Sequence, residues 1–403
     1  MRYGVNYTPR RGWFHSWLDL DLGQMREDFD QIADLGLDHV RIFPLWPILQ
    51  PNRTLIRPQA IQDVVHVVET AGRAGLGTIV DGLNGHLSSF DFVPSWLTSW
   101  HGADVFTDPL ALSGQRMLLR ELARALRDLP DVIGLTLGNE LPQFAGADHP
   151  LRSEVDHEGA DRWFSEMFEE LRSEWPNGRH YHSFDDSVWF DDQMPFTPRH
   201  AVTLGAATTV HSWIFGKMGP MLEQDHPHLD WFARYLCELA AGWSPDPERR
   251  VWLQEVGAPR PWTSDEHAPA FLHNTISTAA AMPEVMAITW WASHDVSREL
   301  ADFPELEYSL GLFDSNGRIK AEGEAMRDLI AAREHFHMTE RPGLVFEADW
   351  VTGAGRSATG PGGHLQRRWF EMADDGVLPA LVHVNHAGND EWLARRGISE
   401  LLD

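Results

Sequence analysis

The feature that most restricts what this chain can fold into is an alternation. Short apolar runs are separated by longer stretches whose apolar residues recur at helical spacing. The runs are residues 3–7, 39–43, 77–81, 132–138, 180–184, 207–211, 251–254 and 285–290. Helical patterns cover 23–35, 58–74, 109–128, 157–174, 229–242, 266–281 and about 323–334, the first two ending at Gly36 and Gly75. Strands joined through helices pair in parallel. Eight of them favour a closed (β/α)8 barrel over an open doubly wound sheet. No Gly-x-Gly-x-x-Gly or Gly-x-x-x-x-Gly-Lys-Ser/Thr follows an early strand, so a nucleotide-binding fold lacks its phosphate cradle. Past about residue 340 the character changes. Residues 343–356 and 379–386 read as strands around Gly-rich turns. The expectation is a barrel over 1–338 and a small β-containing appendage over 339–403, short for a domain with its own core.

Composition narrows the partners. Sixty Asp and Glu against 33 Lys and Arg give a formal charge of −27. That field repels nucleic acid and anionic membranes and suits neutral or cationic ligands. No window approaches 18 apolar residues in a row, so no transmembrane span is expected. The one cysteine, Cys237, allows no internal disulfide and fits a reducing compartment. The opening MRYGVNYTPRRGW has no apolar signal-peptide core. The chain is therefore expected to begin where the fold begins and to be cytoplasmic. Oligomeric state is left open.

In such barrels chemistry sits at the C-terminal ends of the strands. Those ends carry Asn6 and Tyr7, Arg41, Asp81 with His86 after it, Asn139 and Glu140, His182 and Asp185, His211 and Trp213, Glu255, and Trp290-Trp291 with His294 and Asp295 beyond. Two carboxylates stand out. Glu140 follows the fourth strand in GLTLGNE, and Glu255 follows the seventh in VWLQEVG. Strands four and seven face each other across a barrel mouth. Paired carboxylates there are what glycoside hydrolysis needs, one to protonate the leaving oxygen and one to attack or activate water. Their environments should drive the acid's pKa up and the nucleophile's down. Arg41 is placed to hold the nucleophile ionised.

Aromatic content supports a sugar ligand. Eighteen Trp stand against 5 Tyr. Trp13, Trp17, Trp46, Trp96, Trp100, Trp189, Trp213, Trp290 and Trp291 fall at strand ends or in loops near the mouth, where indole faces can pack on sugar C–H faces. For any one of them a place in the core is an equal alternative. A metal enzyme is a rival, since 21 His include Asp225-His226-Pro227-His228. That run reads instead as a loop at a helix start, and neither His-Glu-x-x-His nor a Cys cluster is present. A barrel that binds carbohydrate without cleaving it is a second rival, opposed by the presence of both Glu residues and Arg41.

On these residues the sequence resembles the clan A glycoside hydrolases, specifically glycoside hydrolase family 5, over about residues 1–335. Asn139-Glu140 matches the acid/base and the Asn that bonds the sugar 2-hydroxyl. Glu255 matches the nucleophile, and Arg41 the Arg beside it. His211 matches the His of His-x-Tyr, with Trp213 where Tyr is usual, which leaves the Tyr contact to the nucleophile in doubt. Trp291 in WWASHD is similar to the Trp that floors the subsite of the cleaved sugar. RYGVNYTPRRGWFHSW and RIFPLWPILQPN resemble the bacterial intracellular β-mannosidase subgroup, similar to enzymes that split mannosyl-β-1,4-N-acetylglucosamine from N-glycan cores.

The resemblance implies a retaining exo-β-mannosidase with no cofactor and no metal. Glu255 would form a covalent glycosyl-enzyme, and Glu140 would act as acid and then base. Its substrate is a small oligosaccharide. The expected substrate-binding set is Arg41, Asn139, His211, Trp213, Trp291, Trp290, Asn6 and Trp46, with His86, Asp185, His294, Asp295 and Asp81 in a second tier, where a supporting role behind the binding groups is an equal alternative. An endo-mannanase, an endo-glucanase or a β-glucosidase is the alternative. A pocket closed by the long loops 84–107 and 186–200 would favour exo action.

Overall fold

The computed structural model describes residues 1–100, 102–332 and 340–402. Eight parallel strands form one sheet: β1 (Arg2–Asn6), β2 (His39–Ile42), β3 (Gly77–Asp81), β4 (Val132–Thr136), β5 (His180–Tyr181), β6 (Thr208–Ser212), β7 (Val251–Val256) and β8 (Val285–Trp290). Neighbours in sequence are neighbours in space, and β1 pairs with β8, as a barrel requires. The seam between β5 and β6 carries no continuous ladder. It is bridged by Ala206 N–H donating to His180 O at 2.8 Å and Thr209 Oγ1 donating to His182 O at 3.2 Å.

The outer layer is α1 (Leu22–Asp34), α2 (Pro58–Arg73), α3 (Pro109–Leu126), α4 (His157–Glu174), α5 (Pro198–Thr203), α6 (Pro227–Trp243), α7 (Ala268–Ala280) and α8 (Ala321–Ala332). Their starts follow local chemistry. Asp21, Asp108 and Asp156 accept from backbone N–H groups in the first turns of α1, α3 and α4. Pro109 and Pro227 open α3 and α6, where a missing N–H costs nothing. Strand alternation sorts β2. Val40 and Ile42 join the core under the helices, while His39 and Arg41 point inward. Gly4 permits this, because a Cβ there would lie 2.3 Å from the His39 ring. Ile79, Tyr181, Trp252 and Ala287 fill the floor of the barrel. Above that floor the interior turns polar.

Several expectations are corrected. Strand β5 has two residues, because after Tyr181 the chain leaves the sheet and His182 bonds to Ala201 O at 2.8 Å. Strand β4 ends at Thr136, before the expected 138, and β7 runs on to Val256, so Glu255 lies within the strand. Helix α5 was not anticipated, since six residues are too few to show a period. Loop 84–107 contains a small hairpin, His86–Leu87 against Phe90–Asp91. The final residues of the expected 323–334 helix, and the expected boundary at 338/339, lie outside the described residues.

The C-terminal part is mixed, not purely β. Strands β9 (Arg341–Phe346), β10 (Ala380–His383) and β11 (Ile398–Leu402) form a parallel sheet in the order β10-β9-β11, with helix α9 (His364–Asp374) between the first two. The strand expected over 343–356 stops at Phe346, where turns around Gly353 and Gly355 begin. Phe346, Trp369, Phe370 and Leu381 belong to the same hydrophobic core as the barrel helices. A buried ion cluster pins this sheet to α6. Glu238 accepts from Arg234 at 2.7 Å, from Arg396 at 3.0 Å and from Arg341, and Glu284 accepts from Arg396 at 2.8 Å.

Candidate active site

Arg41, fully buried on β2, organises the barrel mouth. Its Nη1 donates to Glu255 Oε1 at 2.7 Å and to Asn6 Oδ1 at 3.2 Å. Nε and Nη2 form a fork on Asp81 at 3.1 and 2.7 Å, and Nη2 also donates to Asn139 Oδ1 at 2.7 Å. Two carboxylates flank one guanidinium, which makes burial of the charge tenable. Burial pulls the Arg41 pKa down, but Asp81 and Glu255 more than offset it, so the group stays charged.

The chain reaches Glu140 through a tight passage. A Cβ on Gly138 would lie 2.0 Å from Leu83 O, so glycine lets the end of β4 pass the end of β3. Glu140 then takes a left-handed backbone (φ 45°), an uncommon state for a residue with a side chain. This turns its carboxyl toward β6. His211 Nδ1 lies 2.6 Å from Glu140 Oε1 and 3.3 Å from Glu255 Oε2. Gln143 Nε2 donates to Glu140 Oε2 at 2.5 Å. Ligand atoms of Glu140, His211 and Glu255 all lie within 4.8 Å of one another. The two carboxylates therefore meet across one gap.

Their electrostatics depart from expectation. Burial raises the Glu140 pKa, but the hydrogen bond and charge of His211, with His86 and Arg41, leave it below its ordinary value. For Glu255, burial and the charge of Glu140 outweigh His211 and Arg41, and the net shift is upward. These directions are opposite to those expected for an acid and a nucleophile, and His211 sits closer to Glu140 than to Glu255. His211 is itself raised: burial opposes its charge, and the two carboxylates overcome burial. The three groups titrate as one unit.

The pocket above them has a volume of about 450 Å³ and is lined by Asn139, Glu140, Glu255, Trp213, Trp291, His86, Asp185 and, among others, Ser88, Gln143, His149, Asp186 and Glu307. Trp213 Nε1 donates to Glu255 Oε2 at 3.2 Å, so the tryptophan that replaces tyrosine still reaches the nucleophile candidate. His86 lies 3.0 Å from Asp91. Asp185 accepts from Ser187, and burial with the neighbouring charge of Glu140 pushes it up to about 7.

Other expected residues are placed elsewhere. Asn6 is buried below the pocket, where its amide donates to Gln254 O at 3.1 Å and its oxygen receives Arg41. It braces the guanidinium. Trp46 and Trp290 are core residues, the first donating to Gln50 at 2.9 Å. His294 is buried near Ser293 and Thr8, and burial pushes it down to about 3, hence neutral. Asp295 accepts from Lys320 at 3.0 Å and Gly311 N at 2.7 Å. These five lie off the pocket lining, His294 and Asp295 because the chain turns away after Trp291. His226 caps α6 and His228 faces Asp374 at 3.1 Å, as a helix-start loop would.

Glu140, His211 and Glu255 are the set of potential metal ligands among the described residues. A guanidinium 2.7 Å from Glu255 already supplies a positive charge there, which disfavours a divalent cation. Ser88, Gln143, His149, Asp186 and Glu307 escaped the sequence reading. They lie in loops, and only Gln143, three residues after Glu140, offered a local signal.

No protein-family model matches the sequence, and no curated protein does. Solved structures do. GH5_18 from Streptomyces cattleya in complex with GlcNAc is 45% identical, with a TM-score of 0.97 over 100% of this chain and 97% of that chain. A Glu-to-Ala variant of the same enzyme in complex with Manβ1-4GlcNAc is 44% identical, with a TM-score of 0.96 over 100% and 98%. The corresponding variant complex of GH5_18 from Bifidobacterium longum subsp. longum is 40% identical, with a TM-score of 0.95 over 100% and 95%. With full-length identity at this level on one (β/α)8 barrel, the chain belongs to glycoside hydrolase family 5, in its GH5_18 group, and is a glycosidase.

Proposed function

We propose that the protein is an exo-β-mannosidase that releases mannose from mannosyl-β-1,4-N-acetylglucosamine with retention of configuration. The observation that carries this is the meeting of Glu140 and Glu255, with ligand atoms within 4.8 Å, in a single pocket. Retaining pairs stand about 5–5.5 Å apart and inverting pairs about 6.5–9.5 Å. The substrate assignment draws on the complexes of the S. cattleya and B. longum enzymes with Manβ1-4GlcNAc. Exo action is supported by a second apolar cluster, separate from the main core. Trp13, Phe14, Phe43, Leu87 and Phe303 pack with Trp291, which lines the pocket, and back that wall with bulk.

In this account Glu255, aligned by Arg41 and Trp213, attacks the anomeric carbon. The bond to the leaving oxygen breaks as Glu140 gives that oxygen its proton. Entry of the sugar displaces water from the site and strengthens every charge interaction within it. The proton at the 2.6 Å contact between His211 and Glu140 is then available to the leaving group. Glu140 next takes a proton from water, whose oxygen attacks the same carbon and frees Glu255. Asn139, aimed by Arg41, binds a hydroxyl of the reacting sugar. Water, the disaccharide and these side chains account for the atoms, with no cofactor in the scheme. The lone, buried Cys237 supports a reducing compartment, hence a cytoplasmic enzyme acting on a disaccharide of the kind N-glycan cores yield.

The test is a panel of nitrophenyl β-mannoside, β-glucoside and β-galactoside with mannosyl-N-acetylglucosamine, and proton NMR of the first sugar formed. Turnover of the mannosides with initial release of β-mannose is expected. Turnover of glucosides alone would remove the mannosidase assignment, and initial release of α-mannose would remove retention.

A further inference from the structure

The pocket wall holds a group that the chemistry above does not use. Glu307 lies in a short helical turn (Glu305–Ser309) beyond β8, and Ser88 in the turn of the small hairpin beyond β3. Both line the pocket, and both are buried. Trp13 Nε1 donates to Ser88 Oγ at 3.1 Å, and Ser88 Oγ donates to Glu307 Oε2 at 3.2 Å. The indole therefore fixes the hydroxyl, and the hydroxyl fixes the carboxyl. Among the described residues Glu307 forms no ion pair within 4 Å, and its surroundings are the aromatic cluster of Trp13, Trp291 and Phe303.

The backbone around this group is held in unusual states. Trp13 (φ 45°), Ser88 (φ 51°) and Ser89 (φ 66°) all take left-handed conformations without being glycine. Such backbone states are costly for residues with a side chain and concentrate at binding sites. The Glu307 carboxyl has the Ser88 hydroxyl and the Trp291 indole beside it, and since two carboxylate oxygens offer about four acceptor sites, acceptor capacity is left over. Leaving that capacity unmet is costly, so it favours a ligand that brings donors.

The position along the pocket says which part of a ligand arrives there. Trp291 packs at 6.1 Å from Trp213, the indole that contacts Glu255, and at 6.1 Å from Trp13. A chain of contacts therefore runs from Glu255 through Trp213 and Trp291 to Trp13, and on to Ser88 and Glu307. Gln143 also lines the pocket and bonds to Glu140, the proton donor proposed for the leaving sugar.

We infer that Glu307, oriented by Ser88, accepts hydrogen bonds from the hydroxyls of the glycone farthest from the cleaved bond, and so selects which non-reducing-end sugar the pocket takes. This rests on the exo-glycosidase reading above. A sugar presents adjacent hydroxyls in a fixed geometry, and one carboxylate can accept from two of them. A chain continuing past that edge would lack the hydroxyl and meet the aromatic cluster. Glu307 would then be a specificity residue, and Ser88 a positioning residue that acts through it.

The test uses the full-length enzyme and its E307Q and S88A variants, with mannosyl-N-acetylglucosamine as substrate and mannose and N-acetylglucosamine as competing products. E307Q is expected to lower kcat/KM about tenfold or more and to weaken mannose inhibition by a similar factor. Inhibition by N-acetylglucosamine should stay within about twofold. S88A should show the same pattern, with a smaller loss. Mannosides lacking the 4- or 6-hydroxyl should lose rate with the wild type and lose little more with E307Q, since the same bond is removed twice. The inference is overturned if E307Q keeps wild-type kcat/KM and mannose inhibition. It is also overturned if both products weaken equally, or if only the melting temperature falls, for then Glu307 merely supports the loop. A wild type that hydrolyses glucosides alone would remove the mannoside reading instead, and E307Q on the glucoside, with glucose as the competing product, would still decide the role of Glu307.

Discussion

Trp213 reaches Glu255: its indole Nε1 donates to Oε2 at 3.2 Å, from the place where the family usually has tyrosine. The doubt raised by that departure is resolved in geometry, since a donor is supplied and the nucleophile candidate keeps partners on both oxygens. Unlike a phenol, the indole does not ionise in the working range. W213F should lower kcat/KM about tenfold to a hundredfold, the worth of a hydrogen bond to a charged group. The alkaline limb of its pH profile should keep its shape. Steady-state kinetics from pH 5 to 9 check both, and an unchanged kcat/KM would show that the contact does not serve catalysis.

Glu140 is assigned the proton transfer to the leaving group, so its removal should matter most where the leaving group is poor. E140A should cut turnover of mannosyl-N-acetylglucosamine about 10²–10⁴-fold. Dinitrophenyl β-mannoside, which needs no protonation to leave, should still form the glycosyl-enzyme and show a burst of phenolate. Azide should then restore turnover and yield β-mannosyl azide. Equal losses on both substrates and no burst would assign Glu140 another role.

The cluster that fastens the C-terminal sheet to α6 places three guanidiniums, those of Arg234, Arg341 and Arg396, on Glu238. Removing the shared acid strands buried positive charge, a change that costs about 3–5 kcal/mol. E238Q should show that loss in urea unfolding. Its kcat/KM at low temperature should stay near wild type, because the cluster lies off the pocket. A loss below about 1 kcal/mol would mean that the cluster contributes little.

Several buried carboxyls titrate high. Burial pushes Asp28 and Asp186 up to about 6, and Asp185 and Glu307 up to about 7. Their folded pKa values exceed the unfolded ones, so between the two the unfolded chain holds fewer protons. Stability is then fullest below about pH 4 as far as these groups go, and falls as pH rises toward 6 or 7, by up to about 1.4 kcal/mol per pH unit for each group. Asp28 lies away from the pocket, bonded to Tyr7 at 2.9 Å and Gln24 at 3.2 Å. D28N should flatten the pH dependence of the melting temperature between pH 4 and 6. An unchanged slope would assign that dependence to other groups.

Much of this was legible in the sequence, for physical reasons. Eight apolar runs and the helices between them state a barrel, because parallel strands buried on both faces must be nearly all apolar. The strand-end rule then located Arg41, Asn139, Glu140, His211 and Glu255. The rule failed just past β8. His294 and Asp295 follow Trp291 by a few residues, yet there the chain turns down into the packing around Thr8 and Lys320. Ser88 and Glu307 were illegible for the opposite reason. They are 219 residues apart and meet only because two long loops fold over the same wall. How His211 is shared between Glu140 at 2.6 Å and Glu255 at 3.3 Å is a matter of tenths of an ångström, which no spacing along the chain encodes.

The most direct test of the central claim is mass spectrometry of the enzyme after inactivation by a 2-deoxy-2-fluoro-β-mannosyl fluoride. The account predicts one fluoromannosyl group per chain, carried on the peptide containing Glu255, with Glu140 unlabelled. A label on any other side chain, or continued turnover with no covalent adduct, would contradict it.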